Sequence, residues 1–493
     1  MKDKVISSIK WSALSEIASK ALPPLFYIIT ARLLTPEDFG IVATSSMVVA
    51  FASIFWEAGL SKALIQNQDY EVQKMSNIVF YTNVFLSLLI YLVLFMLSDF
   101  IASFFKDNRV SSVLKVSGLS LIIGSFMSVQ TALLQRNFEF KKIFYSRFVG
   151  AIVPGIVSIV FAYYGFGYWA LVYGTIFSMF IQVVILWKIS KWLPTLDYDL
   201  KIAKKMFDFS RWVFLSSFLS WFYIWGDIFV LGFFFTSHEV GLYRTGNYLV
   251  STIFGFVTTP ILPVMYSYFS GIQHNKEEVK RVLLLSSKVL SFIVLPIGVG
   301  LYILKNPLSD LIFGGKWVGI APVIGYLALT YGFAWIVGLN TEAYKAIKKP
   351  YIEFYIHMIS IPIYLTVFFI SSSIGFEVFL IARLLLVFVG MSIQYYFLKK
   401  TLCINFSKFF GNFRQMFIIS ILLIFANHLL MNNFLMSNFV IIIIFFALIT
   451  SYFIYMYILD KNLFTTLFKI LKNAKQTNSI KVKKVMTGGG QGI

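Results

Sequence analysis

Residues 10–51 read KWSALSEIASKALPPLFYIITARLLTPEDFGIVATSSMVVAF, and residues 211–250 read RWVFLSSFLSWFYIWGDIFVLGFFFTSHEVGLYRTGNYLV. Each stretch holds two long apolar runs with a short polar break between them. A membrane-spanning helix needs about 20 mostly apolar residues, so each reads as two consecutive spans. Shifted by 201, the two stretches also align in detail. Lys10-Trp11 falls on Arg211-Trp212, and Ser15, Ser19, Thr35, Gly40 and Thr44 fall on Ser216, Ser220, Thr236, Gly241 and Thr245. Asp38 falls on Glu239. A second echo, at a shift of 211, sets Leu97-Ser98-Asp99 on Leu308-Ser309-Asp310. Their common order implies an old duplication with six helices per copy. An even number makes the copies parallel, and parallel repeats form two lobes around a central cavity.

Working outward, the whole chain has the composition of a membrane protein. Of its 493 residues 58% are apolar and 13% charged, against about 45–50% and about 25% in soluble domains. The expected class is all-α integral membrane, with about fourteen spans. They lie near 10–33, 39–60, 77–98, 112–134, 144–163, 167–188, 211–235, 241–268, 282–304, 317–341, 354–372, 375–398, 414–431 and 438–459. The pairs 144–188 and 354–398 are each too long for one span and read as helical hairpins. The first apolar run lacks a small-residue cleavage site, so it is expected to stay in the protein.

With the N-terminus cytoplasmic, inner segments hold 32 of the 42 Lys and Arg residues. Outer loops hold six: Arg32, Lys106, Arg109, Arg244, Lys305 and Lys316. That bias places both ends in the cytoplasm. The net charge of +20 is therefore read as topology, and nucleic acid is not an expected partner. The expected organisation is an N-lobe at 1–190, a cytoplasmic linker at 191–210 and a C-lobe at 211–400. Two appended helices at 401–460 and a basic, disordered tail at 461–493 follow. The single cysteine, Cys403, excludes an intramolecular disulfide. Four scattered histidines show no metal-ligand spacing. No metal or cofactor is expected, and no Gly-rich phosphate loop is present.

Beyond composition, the stretch 10–51 resembles the polysaccharide-transport branch of the multidrug/oligosaccharidyl-lipid/polysaccharide exporter superfamily, the Wzx-type flippases. So do EAGLSKALIQ at 57–66, ALLQRNFEFKK at 132–142, GFGYWALVYG at 165–174 and LIFGGKWVGIAPVI at 311–324. The resemblance covers the first twelve helices. It implies a V-shaped two-lobe fold in a bacterial cytoplasmic membrane. It also implies movement of undecaprenyl-pyrophosphate-linked oligosaccharide from the inner to the outer leaflet, beside glycosyltransferases and a polymerase of the same pathway. One departure stands out. Asp227 is kept, but Phe233 occupies the position where relatives carry an arginine, and it aligns with Arg32 by the repeat shift.

Charges at membrane depth are functional candidates by default. Glu16 and Lys20 are four apart in the favourable order for a helical ion pair; a self-neutralised pair or a snorkelling lysine accounts for them equally. Asp227 lies ~12 Å inside its helix at 1.5 Å per residue, and Arg383 lies at a similar depth. The two are expected to face one cavity and interact, either for transport or as a structural tether. Arg32 and Lys288 sit near helix ends, where interfacial anchoring competes with function. Glu57 ends the second span. Arg136 and Arg147 flank the fourth connection, where arginine can meet an incoming pyrophosphate or simply mark the inner face. Pro23 and Pro24 are expected to kink the first helix into a gate, and Pro260, Pro263 and Pro296 to act likewise.

The function expected is alternating access for a lipid-linked oligosaccharide, in contact with membrane lipid and without catalysis by this chain. The alternatives are a drug or other lipid-precursor exporter of the same superfamily, a polysaccharide polymerase, or a non-transporting scaffold. Short connections and the lack of an outer carboxylate or His cluster weigh against the polymerase.

Overall fold

The computed structural model describes residues 11, 20–57, 59–66, 70–433 and 438–459, and every regular element among them is helical. In chain order they are α1 (20–33), α2 (Pro36–Glu57), α3 (Leu60–Gln66), α4 (Val72–Phe104), α5 (Arg109–Ser117), α6 (Leu119–Arg136), α7 (Phe140–Tyr163), α8 (Trp169–Ser190), α9 (Leu200–Phe234) and α10 (Ser237–Thr258). Then come α11 (Ile261–Gly271), α12 (Lys276–Ile303), α13 (Lys305–Ile312), α14 (Ile320–Ala334), α15 (Asn340–Ala346), α16 (Tyr351–Ile374), α17 (Phe376–Leu402), α18 (Phe406–Asn433) and α19 (Asn438–Leu459). Glu16 and the tail 461–493 lie outside the described residues.

Eleven helices or helix pairs among the described residues are long and apolar enough to cross a membrane, or twelve with the bent pair α10–α11. The apolar part of α18, Phe413–Asn427, is shorter, and of the first expected span, 10–33, residues 11 and 20–33 are described. A count near fourteen is compatible with this. The first expected hairpin forms, with α7 and α8 packed along their length; at the second, Gly375 alone separates α16 from α17, and Phe368 of one packs on Phe379 of the other.

Prolines act unequally. The chain breaks at Thr259–Pro260, where α10 and α11 meet at a 42° bend. By contrast, α12 runs on through Pro296 and α1 is helical through Pro23 and Pro24. A tolerated proline needs its lost backbone bond made up by neighbours.

The chain divides into two compact units. The first comprises Met1–Ile253, Leu308–Leu327 and Glu353–Leu386; the second comprises Phe254–Pro307, Ala328–Ile352 and Val387–Ile493. In the first, α9 starts well before the span expected at 211–235. Asp199 caps it by accepting from the backbone N–H of Lys201 (2.7 Å) and Ile202 (3.3 Å), which satisfies otherwise orphaned donors. The added turns are amphipathic. Ile202, Ala203 and Met206 are buried with Leu64, Met75 and Val129, while Lys201, Lys204 and Lys205 stay exposed. In the second unit, Gly298 of α12 allows α14 to approach closely, since a Cβ there would lie 2.8 Å from the Ala328 carbonyl oxygen. Small residues at such crossings suit helices packed in lipid.

Candidate functional site

The repeat residues meet one another at one end of the first unit. α2 and α10 begin there with matching caps. The Thr35 N–H and hydroxyl donate to Asp38, at 2.9 and 3.0 Å, and the Thr236 N–H and hydroxyl donate to Glu239 in the same way. This is a side-chain capping box built on a threonine and an acidic residue three positions on. One turn further in, the two helices cross at glycine. A Cβ on Gly40 would lie 1.7 Å from the Ser237 carbonyl oxygen, and one on Gly241 would lie 1.8 Å from that of Pro36. Pro36 and Ser237 are themselves related by the 201 shift, so the contact is reciprocal.

Side chains fasten the crossing. His238 Nδ1 lies 2.7 Å from Glu37 Oε1, and Ser237 Oγ donates to Asp107 at 2.6 Å. Asp107 also pairs with Arg109 at 2.9 Å. Burial alone pushes the Asp107 carboxyl up, but the hydrogen bonds from Arg109 and Ser237 outweigh it and hold the group below its ordinary value. Deeper in, the Tyr27 and Thr245 hydroxyls are 2.9 Å apart, and Trp221 Nε1 donates to the Met47 carbonyl.

Arg32 is exposed and donates to the carbonyls of Leu311 and Ile312 at the end of α13. In return Trp317 and Lys316 donate to the Ala31 and Leu33 carbonyls at the end of α1. The two helix C-termini thus satisfy each other's last carbonyls. At the matching position in the second repeat, Phe233 packs on Phe104 and Phe369, and Lys106 Nζ sits 5.7 Å from its ring centre.

Asp227 and Arg383 do meet. Arg383 Nη1 is 2.9 Å from Asp227 Oδ2, with side chains only 19% and 7% exposed. Tyr243 donates its hydroxyl to the same oxygen at 2.6 Å, and the Ile228 N–H donates to the other at 2.7 Å. The guanidinium lies 5.4 Å from the Tyr243 ring centre and 5.8 Å from that of Phe368. The cluster ties α9, α10 and the first turns of α17. Neither charged residue lines any of the three cavities described next.

A cavity of 630 Å³ lies among α2, α3, α5, α6, α8 and α9. Glu57 and Lys62 are its ionisable lining residues, and eight serines and two threonines join them. An adjoining cavity of 280 Å³ shares Val42, Ser46 and Thr175 with it. Arg244 is the charged residue lining this second space, which Tyr27 and Tyr248 also line with their rings packed 4.2 Å apart; its guanidinium lies 4.7 Å from the Trp225 ring centre. In the second unit, a 360 Å³ groove between α12 and α19 is lined entirely by apolar residues and glycine.

Arg244 is the residue the sequence reading misplaced. It was assigned to an outer loop, yet α10 begins at Ser237, so Arg244 sits two turns inside the helix. The legible signal was the capping pattern at Thr236 and Glu239. The other candidates scatter. Glu57 is at the larger cavity. Arg136 ends α6 and donates to the Leu64 carbonyl. Arg147 is exposed on α7, Lys20 is exposed on α1, and Lys288 is half-buried in the second unit.

A family model described as "Polysaccharide biosynthesis protein" matches residues 29–322. The chain is 26% identical to a succinoglycan biosynthesis transport protein, ExoT, of Rhizobium meliloti over 66% of each chain. It is 22% identical to a lipopolysaccharide biosynthesis protein, WzxC, of Escherichia coli over 67% of each. Among solved structures, the lipid II flippase MurJ in an inward closed conformation covers 92% of this chain with all of its own, at a TM-score of 0.74 and 16% identity. An inward-facing multidrug MATE transporter covers 78% with 99% of its own, at 0.58 and 15%. The fold is that of these two transporters.

Proposed function

The chain belongs to the polysaccharide biosynthesis protein family, and from that premise we propose that it is a flippase. It moves undecaprenyl-pyrophosphate-linked oligosaccharide units across a bacterial cytoplasmic membrane for surface polysaccharide synthesis. The observation that carries this reading is the pair of adjoining cavities in the first unit. A lipid-linked glycan has two polar parts with different needs. Its diphosphate needs a cation with directed donors, which arginine supplies; Arg244 lines the smaller space. Its sugars need hydrogen-bonding partners, which the serine-rich larger space offers. The isoprenoid tail stays in lipid.

The distribution of Lys and Arg among the connections supports an orientation with both termini in the cytoplasm. In that orientation the larger cavity, with Glu57 and Lys62, opens towards the cytoplasm. The Gly40–Gly241 crossing lies at the outer face and closes it. Transport then requires the crossing to part and the inner access to shut, with residues 1–190 and 211–400 moving as the two lobes. Asp227 and Arg383 serve as a brace inside the second repeat, since the carboxylate is fully engaged by protein donors. Glycosyltransferases and a polymerase of the same pathway would supply and consume the unit.

The test is transport in proteoliposomes with a synthetic lipid-diphosphate oligosaccharide. Arg244→Ala should lower the rate by about 100-fold, the scale of losing a charge-assisted pair, and Arg244→Lys should recover part of it. Wild-type protein that leaves the lipid unmoved, in an assay where a known flippase moves it, rejects the reading.

A further inference from the structure

We propose that the 630 Å³ cavity is a saccharide site built for uncharged sugar residues and selective against acidic ones. The inference rests on the flippase reading and sharpens it by naming the substrate class. Three observations support it.

The first is capacity. The volume falls in the range of about 300–1,000 Å³ that holds small-molecule ligands. Its lining interleaves hydroxyls such as Ser53, Ser120 and Thr131 with aliphatic side chains such as Val49 and Ile176. A sugar ring has the same alternation, with hydroxyl edges around C–H faces.

The second is unspent hydrogen bonding. Ser45 and Trp56 line the cavity and are 1% and 5% exposed, yet Ser45 Oγ and Trp56 Nε1 have no partner in the protein. Ser117 Oγ, also of a lining residue, is in the same state. Buried polar groups are almost always satisfied, and these three sit beneath the cavity wall, where small side-chain rotations would bring them to a ligand rich in donors and acceptors.

The third is charge. The two ionisable lining residues, Glu57 and Lys62, have opposite signs, so no net cation faces the space. A uronic acid or other anionic sugar would bring a carboxylate into a space whose lining carries as much negative as positive charge, and would set it near Glu57. Burying such a group unpaired is costly, and like-charge juxtaposition adds to the cost. The smaller cavity is the opposite case, with Arg244 as its charge. The two spaces therefore divide the headgroup: anion on Arg244, neutral glycan on the serines.

The experiment uses full-length protein in nanodiscs for binding and in proteoliposomes for transport. Two synthetic polyprenyl-diphosphate trisaccharides serve as probes, one of glucose and galactose only, the other with glucuronic acid replacing one hexose. The neutral probe should bind at least about tenfold tighter, or 1.4 kcal/mol. Glu57→Gln should shrink that gap to less than about threefold. Ser53→Leu and Ser120→Leu should each weaken the neutral probe by about tenfold or more by filling the space, and Ser53→Thr should regain most of the loss. Equal binding and transport of both probes overturns the proposal while leaving the flippase reading intact. Unchanged binding in both leucine variants also overturns it, by placing the sugar elsewhere. Transport of neither probe rejects the flippase reading and this proposal together.

Discussion

Two parts of the duplicated sequence behave differently. Residues 35–45 and 236–246 keep matching residues at matching places, and the structure uses them identically. Thr35 and Thr236 cap, and Gly40 and Gly241 cross. Residues 26–32 and 227–233, just before them, diverge. Phe26 packs against Gly155, where a Cβ would lie 2.2 Å from its ring, whereas its counterpart Asp227 pairs with Arg383. Arg32 caps a helix end, whereas Phe233 offers a ring to Lys106. The difference has a physical cause. At the crossing the two copies touch each other, so position i meets j and j meets i, as in any isologous contact. A change in either copy damages the shared contact. Away from it each copy faces its own neighbours, and each has adapted to them.

The strongest way to break the symmetric half is to add a side chain at the crossing. Gly40→Val or Gly241→Val should abolish transport, because either Cβ would overlap a carbonyl oxygen unless the helices part. Cysteines placed at Glu37 and His238, with Cys403 replaced, should form a disulfide that blocks transport until reduced. In the valine variants that cross-link should slow sharply. Rapid cross-linking in active valine variants would refute the crossing as a gate.

The asymmetric half should show its largest effect at the buried ion pair. Asp227→Leu or Arg383→Leu alone should destabilise the protein by about 3–5 kcal/mol, the usual result of leaving one buried charge unpaired. Exchanging the two residues should recover much of that loss in thermal unfolding. Harmless single changes would remove the brace from the account.

A smaller effect is expected at the diverged helix end. Phe233→Arg copies the cation of Arg32 into the second repeat but sets it beside Lys106, forfeiting a cation–π contact worth about 0.5–1 kcal/mol. A melting temperature that drops in this variant and recovers on adding Lys106→Gln would confirm the exchange; an unchanged one would show that Lys106 contributes nothing there.

The mildest test is pH. Asp107 lies in the connection between α4 and α5, and its folded pKa is depressed below the ordinary 3.8. Its contribution is therefore complete above that value and fades as pH falls through the lower folded value. Asp107→Asn should lower stability at neutral pH, where the contribution is complete, and leave it least changed in acid, so that the acid limb of the profile flattens below about pH 4. An unchanged acid limb would mean that the contact with Ser237 adds no stability.

The class of fold, the repeated residues and the meeting of Asp227 with Arg383 were legible in the sequence. Each rests on a local property: runs of apolar residues, matched spacing, or distance from a helix end. Composition and periodicity report such properties directly, which is why the two hairpins and the meeting of Asp227 with Arg383 were foreseeable. The role of Gly40 and Gly241 was visible only as a repeated letter. That they touch the partner copy's backbone depends on how α2 and α10 pack, which no local pattern states.

The cavities lay further from reach. Serines such as Ser45, Ser53 and Ser120 look like ordinary small residues of apolar helices, and only packing gathers them around one space. Arg244 counts as an outer-loop cation by its nearness to the start of the span at 241, and only the cap at Thr236 shows that it lies two turns inside α10. What the sequence determined alone was a polytopic membrane chain with a doubled core, because the hydrophobic effect acts on each segment separately. What tertiary structure decided was which residues face a cavity and which face a neighbour, because that follows from the mutual packing of helices far apart in the chain.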